Sequence, residues 1–73
     1  MKWNNVIAYK GYLASIRFDS QDEVLWGEIL GIEDLISFEA ESAKKIKEAF
    51  REAVEDYFVT CKELGKEPQQ PRL

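Results

Sequence analysis

The 73-residue sequence contains no histidine and only one cysteine. Histidine is the commonest metal ligand and the commonest general base, so sites of both kinds lose their usual residue. A single cysteine excludes an internal disulfide and a cysteine-rich zinc site. Ser42 and the tyrosines have no histidine or suitably placed lysine that would activate them as nucleophiles. We therefore expect no enzymatic activity, no cofactor and no bound metal.

The sequence also lacks a long apolar run. No segment approaches the ~20 apolar residues that a membrane-spanning helix needs. The first five residues lead into a strand-like run and not into the apolar centre and cleavage site of a signal peptide. We expect a cytoplasmic protein with no membrane contact.

Basic residues are in the minority. Ten lysines and arginines stand against fourteen aspartates and glutamates, which gives a net charge of −4. Phosphate contacts require a basic patch, so direct nucleic-acid binding by this chain is not expected, and a basic protein partner suits the charge better. A chain this short forms one domain that buries only about 60% of its unfolded surface. A partner or self-association, which we expect as a homodimer, would stabilise it.

Residues 42–64 have the 3.6-residue period of an amphipathic helix. Ser42 can cap the first turn with its hydroxyl, and Gly65 can adopt the left-handed conformation that ends helices. Cys61 falls on the apolar stripe, so we expect a packed free thiol. The predicted stripe comprises Ala43, Ile46, Phe50, Ala53, Val54, Tyr57, Cys61 and Leu64, and the outer face carries the acidic residues Glu48, Glu52, Glu55, Asp56 and Glu63.

Three segments before this helix alternate in polarity with the period of two that is typical of strands. They are residues 12–18, 24–30 and 35–40. A short apolar run, Val6–Tyr9, is closed by Lys10-Gly11 and is not among the predicted strands. The predicted fold class is α+β: a three-stranded antiparallel sheet with one long helix packed on one face. Residues 1–65 form the predicted domain, and residues 66–73 form a polar tail whose prolines exclude further helix.

The alternation assigns a core face and an uncovered face to the predicted sheet. Gly27 on the core face is expected to let Phe50 or Tyr57 of the helix approach the backbone. On the uncovered face, Trp26 and four aliphatic residues form either an interface patch or scattered singles, with Trp26 folded over its neighbours. The predicted core face comprises Ala14, Ile16, Phe18, Leu25, Gly27, Ile29, Ile36 and Phe38, and the uncovered face comprises Leu13, Val24, Trp26, Leu30 and Leu35.

Acidic residues cluster in the two polar turns. Converging carboxylates could hold Mg²⁺ in a nuclease, but these acids lie on turns and no core-side strand position carries one. Aspartate is favoured in turns because its side chain bonds nearby backbone, and this role is compatible with contact to a basic partner. The predicted partner-binding residues are therefore Leu13, Trp26, Leu30, Leu35, Asp19, Asp22, Glu33 and Asp34.

A series of short motifs resembles the HicB family, the antitoxins of bacterial type II toxin–antitoxin pairs. The motifs keep the family's order and spacing over residues 9–68, and each is weak alone but fairly specific in series. They are Tyr9-Lys10-Gly11-Tyr12, Ile16-Arg17-Phe18-Asp19 with Asp22, residues 27–34, Ile36-Ser37-Phe38-Glu39, Ala49-Phe50, residues 52–57 and Gly65-Lys66-Glu67-Pro68.

The resemblance implies a partial RNase H-like fold and a partner, HicA. HicA toxins are small, basic RNA-cleaving proteins with a double-stranded-RNA-binding-type fold, and the antitoxin covers the toxin's active site. Family members usually continue past the Glu67-Pro68 region into another strand and a DNA-binding segment, which these 73 residues do not contain. Repression by direct DNA binding is therefore not expected of this chain.

Three functional hypotheses follow. The first is a non-enzymatic HicB-like antitoxin that binds and masks a HicA-type mRNA-cleaving toxin. The second is an orphan HicB-like domain that acts as a homodimeric adaptor and has no toxin partner. The third is a degenerate RNase H-like enzyme, which would lose metal-dependent RNA cleavage on mutation of Asp19 and Asp22.

Overall fold

The computed structural model describes residues 5–72. Four strands precede one helix in the chain: β1 (Val6–Tyr9), β2 (Tyr12–Asp19), β3 (Val24–Ile29), β4 (Ser37–Ala40) and α1 (Ala43–Leu64). The strands form one sheet in the order β1-β2-β3-β4, and each neighbouring pair is antiparallel. The helix packs across one side of this sheet, so the α+β class is confirmed.

The predicted number of strands, three, is wrong, because Val6–Tyr9 pairs with β2. The connection is a two-residue turn in which Lys10 and Gly11 both have positive φ, 51° and 82°. Turns of this kind match the twist of the strands they join. Lysine is not among the residues favoured at such a position, which is why the turn is not evident in the sequence.

The helix boundaries are those predicted from its caps. The Ser42 hydroxyl oxygen accepts a hydrogen bond from the Lys45 N–H at 3.1 Å, and Gly65 ends the helix at φ 73°. The buried stripe consists of Ile46, Phe50, Val54, Tyr57 and Cys61. The prediction is wrong at both ends of the stripe, because Ala43 and Leu64 are exposed where the helix extends beyond the sheet.

The core lies between the helix and the middle of the sheet. It comprises Tyr12, Ala14, Ile29, Phe50, Val54, Tyr57 and Cys61. Aromatic rings contact one another edge-on or stacked across it, with Tyr12 next to Tyr57 and Phe38 next to Phe50. The prediction that Phe18 is a core residue is wrong, since its side chain is 63% exposed. Phe18 shares a cross-strand row with Leu25 and Ala40 at the end of the sheet where the chain leaves β4 and the helix has only begun.

Gly27 is buried, as predicted, but its neighbour is a strand residue and not a helix residue. Phe38 lies directly opposite Gly27 on β4. A Cβ atom added at Gly27 would come within 2.4 Å of the Phe38 ring and 2.9 Å of the Ile16 side chain. The Phe38 ring therefore occupies the space that a side chain at position 27 would need, and it passes the contact on to Phe50.

The tail that follows the helix packs against the domain through Gln69. Its carbonyl oxygen accepts a hydrogen bond from the Tyr12 hydroxyl at 2.6 Å, and its N–H donates to the Tyr57 hydroxyl at 2.9 Å. Its side-chain oxygen accepts from the Glu33 N–H at 2.7 Å. Further along, the Arg72 N–H donates to the Gly31 carbonyl oxygen. The predicted boundary at residue 65 remains a prediction, but the tail is held by hydrogen bonds to the sheet, the helix and the loop before β4.

Candidate protein-binding face

The side of the sheet that faces away from the helix is called the open face here. Side chains alternate along a strand, so the register assigns every strand residue to one face. Tyr12 and Ala14 are buried under the helix, which places Leu13, Ser15 and Arg17 on the open face. The paired residues of the other strands follow: Val6 and Ala8 from β1, Val24, Trp26 and Glu28 from β3, and Ser37 and Glu39 from β4.

Trp26 lies in a row of three residues that crosses the open face. Arg17 is opposite Trp26 on β2, and Glu39 is opposite Trp26 on β4. The Arg17 guanidinium lies over the indole ring, 4.6 Å from its centroid. A cation over an indole is attracted by the electrons of the ring face. Trp26 is therefore half-buried by its own neighbour, which is the local folding considered as one of the two interpretations of this residue.

A polar row separates Trp26 from the leucines of the same face. Ser15, Glu28 and Ser37 lie side by side on β2, β3 and β4. Beyond them the Leu30 N–H donates to the Leu13 carbonyl oxygen at 2.8 Å, so these two leucines are neighbours. Both are half-buried. The predicted apolar residues thus lie in two groups on the open face and not in one continuous patch.

Leu35 does not belong to the sheet. The predicted strand over residues 35–40 begins only at Ser37, because Leu35 lies in the loop that joins β3 to β4. Its side chain is 79% exposed. Apolar character alone made Leu35 a strand residue in the sequence, whereas the loop there is held by polar contacts with the tail.

The predicted acidic residues lie at opposite ends of β3. At the β2–β3 turn, the Asp19 carboxylate accepts hydrogen bonds from the backbone N–H groups of Gln21 and Asp22, so Asp19 has the structural role expected in a turn. At the other end, Asp34 forms an ion pair with Lys66 at 3.7 Å. The strand between them has six residues, so the two groups are roughly 20 Å apart.

Sequence reasoning missed three charged residues of the open face: Arg17, Glu28 and Glu39. The alternation of β2 already assigned Arg17 to this side, but its stacking on Trp26 depends on the pairing register, which the sequence does not reveal. Together with Asp19, the strands place three carboxylates and one guanidinium on the open face. That guanidinium is engaged by the Trp26 ring.

A second polar cluster lies on the helix side, where β1 meets α1. Glu55 accepts a hydrogen bond from the Tyr9 hydroxyl at 2.7 Å and an ion pair from Lys10 at 2.7 Å. The hydrogen bonds from Lys10 and then from Tyr9 hold the pKa of the Glu55 carboxyl below its ordinary value. The same bond to Glu55 raises the pKa of Tyr9 and that of Lys10. Glu55, predicted as part of the outer acidic stripe, thus joins the helix to the first hairpin.

Two buried tyrosines have raised pKa values. Burial raises the pKa of Tyr12, and the neighbouring Tyr57 adds to the effect. Burial also raises the pKa of Tyr57, against the hydrogen bond from the Gln69 N–H, which lowers it. Both hydroxyls are used to hold the tail.

Neither a metal cluster nor a membrane-spanning helix occurs in the described part of the chain. Within residues 5–72, no group of three or more histidine, cysteine, aspartate or glutamate side chains could hold a metal ion. Over the same residues, no helix is both long and apolar enough to cross a membrane.

No protein-family model, no curated protein and no solved structure matches this chain. The resemblance to the HicB antitoxins therefore rests on the sequence motifs alone.

Proposed function

We propose that this chain is a HicB-like antitoxin domain that binds a small, basic HicA-type toxin through its open face and masks the toxin's RNA-cleaving site. The observation that carries this proposal is the composition of that face. It has one large aromatic residue, Trp26, and three carboxylates against a single guanidinium. Buried tryptophan and arginine residues are the commonest energetic centres of protein interfaces.

Charge supports a cationic partner. The chain has a net charge of −4, and Glu28 and Glu39 flank the Trp26 row within the sheet. Asp22, which is exposed at one end of the face, and Glu33, which is exposed at the other, extend the negative charge beyond the strands. Complementary charge accelerates encounter and favours the right partner. An RNA-binding toxin presents basic residues around its active site, so an acidic face that docks there would exclude RNA.

The test begins with the toxin. The tagged chain is used to capture proteins from its own host, and a captured small basic protein with a HicA-type sequence is then purified and assayed for RNA cleavage. We expect the chain to inhibit cleavage at equimolar ratio. Trp26→Glu should abolish binding and inhibition and leave the far-UV circular dichroism spectrum unchanged.

Val59→Glu is the matched control. Val59 is a 54% exposed residue on the outer surface of the helix, remote from the open face. This variant introduces the same charge and should inhibit the toxin like the unmodified chain. Inhibition that survives Trp26→Glu, or that both variants lose equally, would contradict the assignment of the open face.

A homodimeric adaptor with no toxin is the second candidate. The observation that favours it is the exposure of large apolar side chains away from the core, with Phe18 63% and Leu64 69% exposed. Analytical ultracentrifugation of the purified chain tests it. A dimer that Phe18→Ser converts to a monomer, together with no toxin captured from the host, would favour this function over the first.

A further inference from the structure

The outer edge of β1 presents unpaired backbone groups. In antiparallel pairs the residues alternate between those that bond the neighbouring strand and those that do not. The Ile16 N–H donates to the Asn5 carbonyl oxygen at 2.8 Å, so Asn5 is one of the bonded residues. Counting on from Asn5, Ile7 and Tyr9 bond to β2, whereas Val6 and Ala8 direct their N–H and C=O groups outward. Within residues 5–72, no strand pairs with this edge.

This edge has none of the usual protection. Sheet edges in natural proteins are commonly guarded by charged side chains, prolines or bulges, because bare edges accept another strand. β1 has the sequence Val-Ile-Ala-Tyr and pairs with β2 in continuous register. The edge therefore remains suited to the addition of a strand.

A row of basic side chains runs beside the same edge. Lys44, Lys47 and Arg51, spaced by three and four residues, share one flank of α1, and we refer to them as the basic ridge. Arg51 lies over the Tyr9 ring of β1, 5.7 Å from its centroid. Among the described residues, Lys47 and Arg51 have no carboxylate within ion-pair distance, whereas Glu55, the next acid along this flank, is bound to Lys10. A basic surface without carboxylate partners is unexpected in a chain of net charge −4.

The edge and the ridge border one cleft. Its volume is about 250 Å³, and it is lined by Ile7 and Ala8 of β1 and by Lys47, Phe50 and Arg51 of α1. The Ile7 side chain is on the helix side of the sheet, since Ile7 pairs with the buried Ala14. A residue added beside Ile7 on a further strand would project its side chain into this cleft, towards Lys47 and Arg51.

From this arrangement we propose that the β1 edge binds an extended acidic peptide segment as a fifth strand. The backbone of the segment pairs with Val6 and Ala8, and its carboxylates, on every second residue, face Lys47 and Arg51. Strand addition takes its affinity from main-chain hydrogen bonds and its specificity from alternate side chains. This surface is separate from the open face, and the proposal does not depend on a toxin partner.

The basic ridge distinguishes an acidic peptide from a second copy of this chain. In a two-fold symmetric, antiparallel pairing of two β1 edges, both helices would lie on the same side of the joined sheet, with the two basic ridges facing each other. Like charges in contact disfavour that arrangement. A nucleic acid would satisfy the ridge but cannot continue the hydrogen-bond ladder of the strand.

The test uses synthetic peptides with the full chain and follows backbone amide signals by NMR. The probe is a capped peptide of alternating threonine and glutamate, about seven residues long, which is a typical strand length. We expect it to shift the amide signals of Val6 and Ala8. A peptide with lysine in place of glutamate should bind about tenfold more weakly or worse, and salt should weaken the binding of the glutamate peptide.

Two further variants separate charge from backbone pairing. In the protein, Lys47→Glu with Arg51→Glu should reduce binding by about tenfold or more, whereas Lys45→Glu, an exposed lysine outside the ridge, should leave it nearly unchanged. In the peptide, N-methylation of the amides that would face β1 should abolish binding without altering its charge. This second comparison requires no change to the protein and is unaffected by any loss of folding.

Several results would overturn the proposal. These are equal binding of the glutamate and lysine peptides, no binding of either, or binding that N-methylation does not alter. Amide shifts confined to the open face would do the same. A single-stranded RNA oligonucleotide that binds the ridge, while the glutamate peptide does not, would assign the ridge to nucleic acid and reject strand addition.

Discussion

The two faces of this sheet are built from alternate residues of the same four strands, yet they differ in almost every physical property. On the helix side, the row of Phe38, Gly27 and Ile16 is filled by an aromatic ring that packs on Phe50. On the open face, the next row along contains Trp26 between one cation and one carboxylate. The comparison teaches that stability is concentrated on one side, which leaves the other side free to be specified by a partner. Mutations on the two faces should therefore affect different measurements.

The largest effect is expected for Phe50→Ala. Phe50 is 1% exposed and contacts the rings of both Tyr9 and Phe38. Loss of a buried phenylalanine costs about 3–5 kcal/mol, a large share of the stability of a small domain. Urea denaturation monitored by circular dichroism measures it. Val59→Ala, on the outer surface of the same helix, should change the free energy of unfolding by less than about 0.5 kcal/mol. Similar losses for the two variants would contradict a core centred on Phe50.

A smaller loss, about 1–3 kcal/mol, is expected for Gly27→Ala, because the new Cβ overlaps the Phe38 ring. The double variant Gly27→Ala with Phe38→Val tests the cause. If the overlap is responsible, the double variant should be more stable than the sum of the two single losses implies, and the coupling should appear in a double-mutant cycle. Strictly additive losses would show that Phe38 is not the residue that requires glycine at position 27.

Alkaline pH should weaken the helix side selectively. The pKa values of Tyr12 and Tyr57 are raised above 10.0 in the fold, so the fold favours their neutral forms. This contribution is fully present below pH ~10 and is lost as the pH rises through the folded pKa values, because the unfolded chain then binds fewer protons. The free energy of unfolding should fall with a slope of up to about 1.4 kcal/mol per pH unit for each proton. Tyr57→Phe should flatten the slope, and an unchanged slope would contradict the assignment.

The smallest effect belongs to the open face. The Arg17–Trp26 pair should show a coupling free energy of about 0.5–1 kcal/mol in a double-mutant cycle with alanine, as is usual for exposed cation–ring contacts. Each single variant should affect partner binding far more than folding. A coupling near zero would mean that the stacking contributes nothing to the orientation of Trp26.

Much of the fold could be predicted from local signals. The caps at Ser42 and Gly65 fix the helix boundaries through hydrogen bonds made within a few residues, so the sequence contains the whole cause. β1 could not be predicted in the same way. Its only local mark is a Lys10-Gly11 turn with a lysine at a positive φ. The strand is stabilised by pairing with β2, which is a tertiary effect.

The candidate sites show the same limit. Alternation predicted that Trp26 and Leu13 share a face, but it could not reveal the polar row that separates them, because that row is defined by the register of three strands. The position of the tail was equally hidden. Gln69 is held by hydroxyl groups of Tyr12 and Tyr57, and no periodicity in the sequence announces such single polar contacts.

Cys61 gives this small domain an internal reporter of its own opening. It is the only cysteine of the chain, and its side chain is completely inaccessible beneath the last turns of the helix. A thiol reagent can therefore react only when the helix end separates from the sheet. If the labelling rate follows the global unfolding rate, the tail and the helix open together with the core. If Gln69→Ala accelerates labelling and leaves the urea midpoint nearly unchanged, the tail works as a latch on a separate local opening. One residue thus allows the dynamics of the helix terminus to be timed chemically, without any added probe.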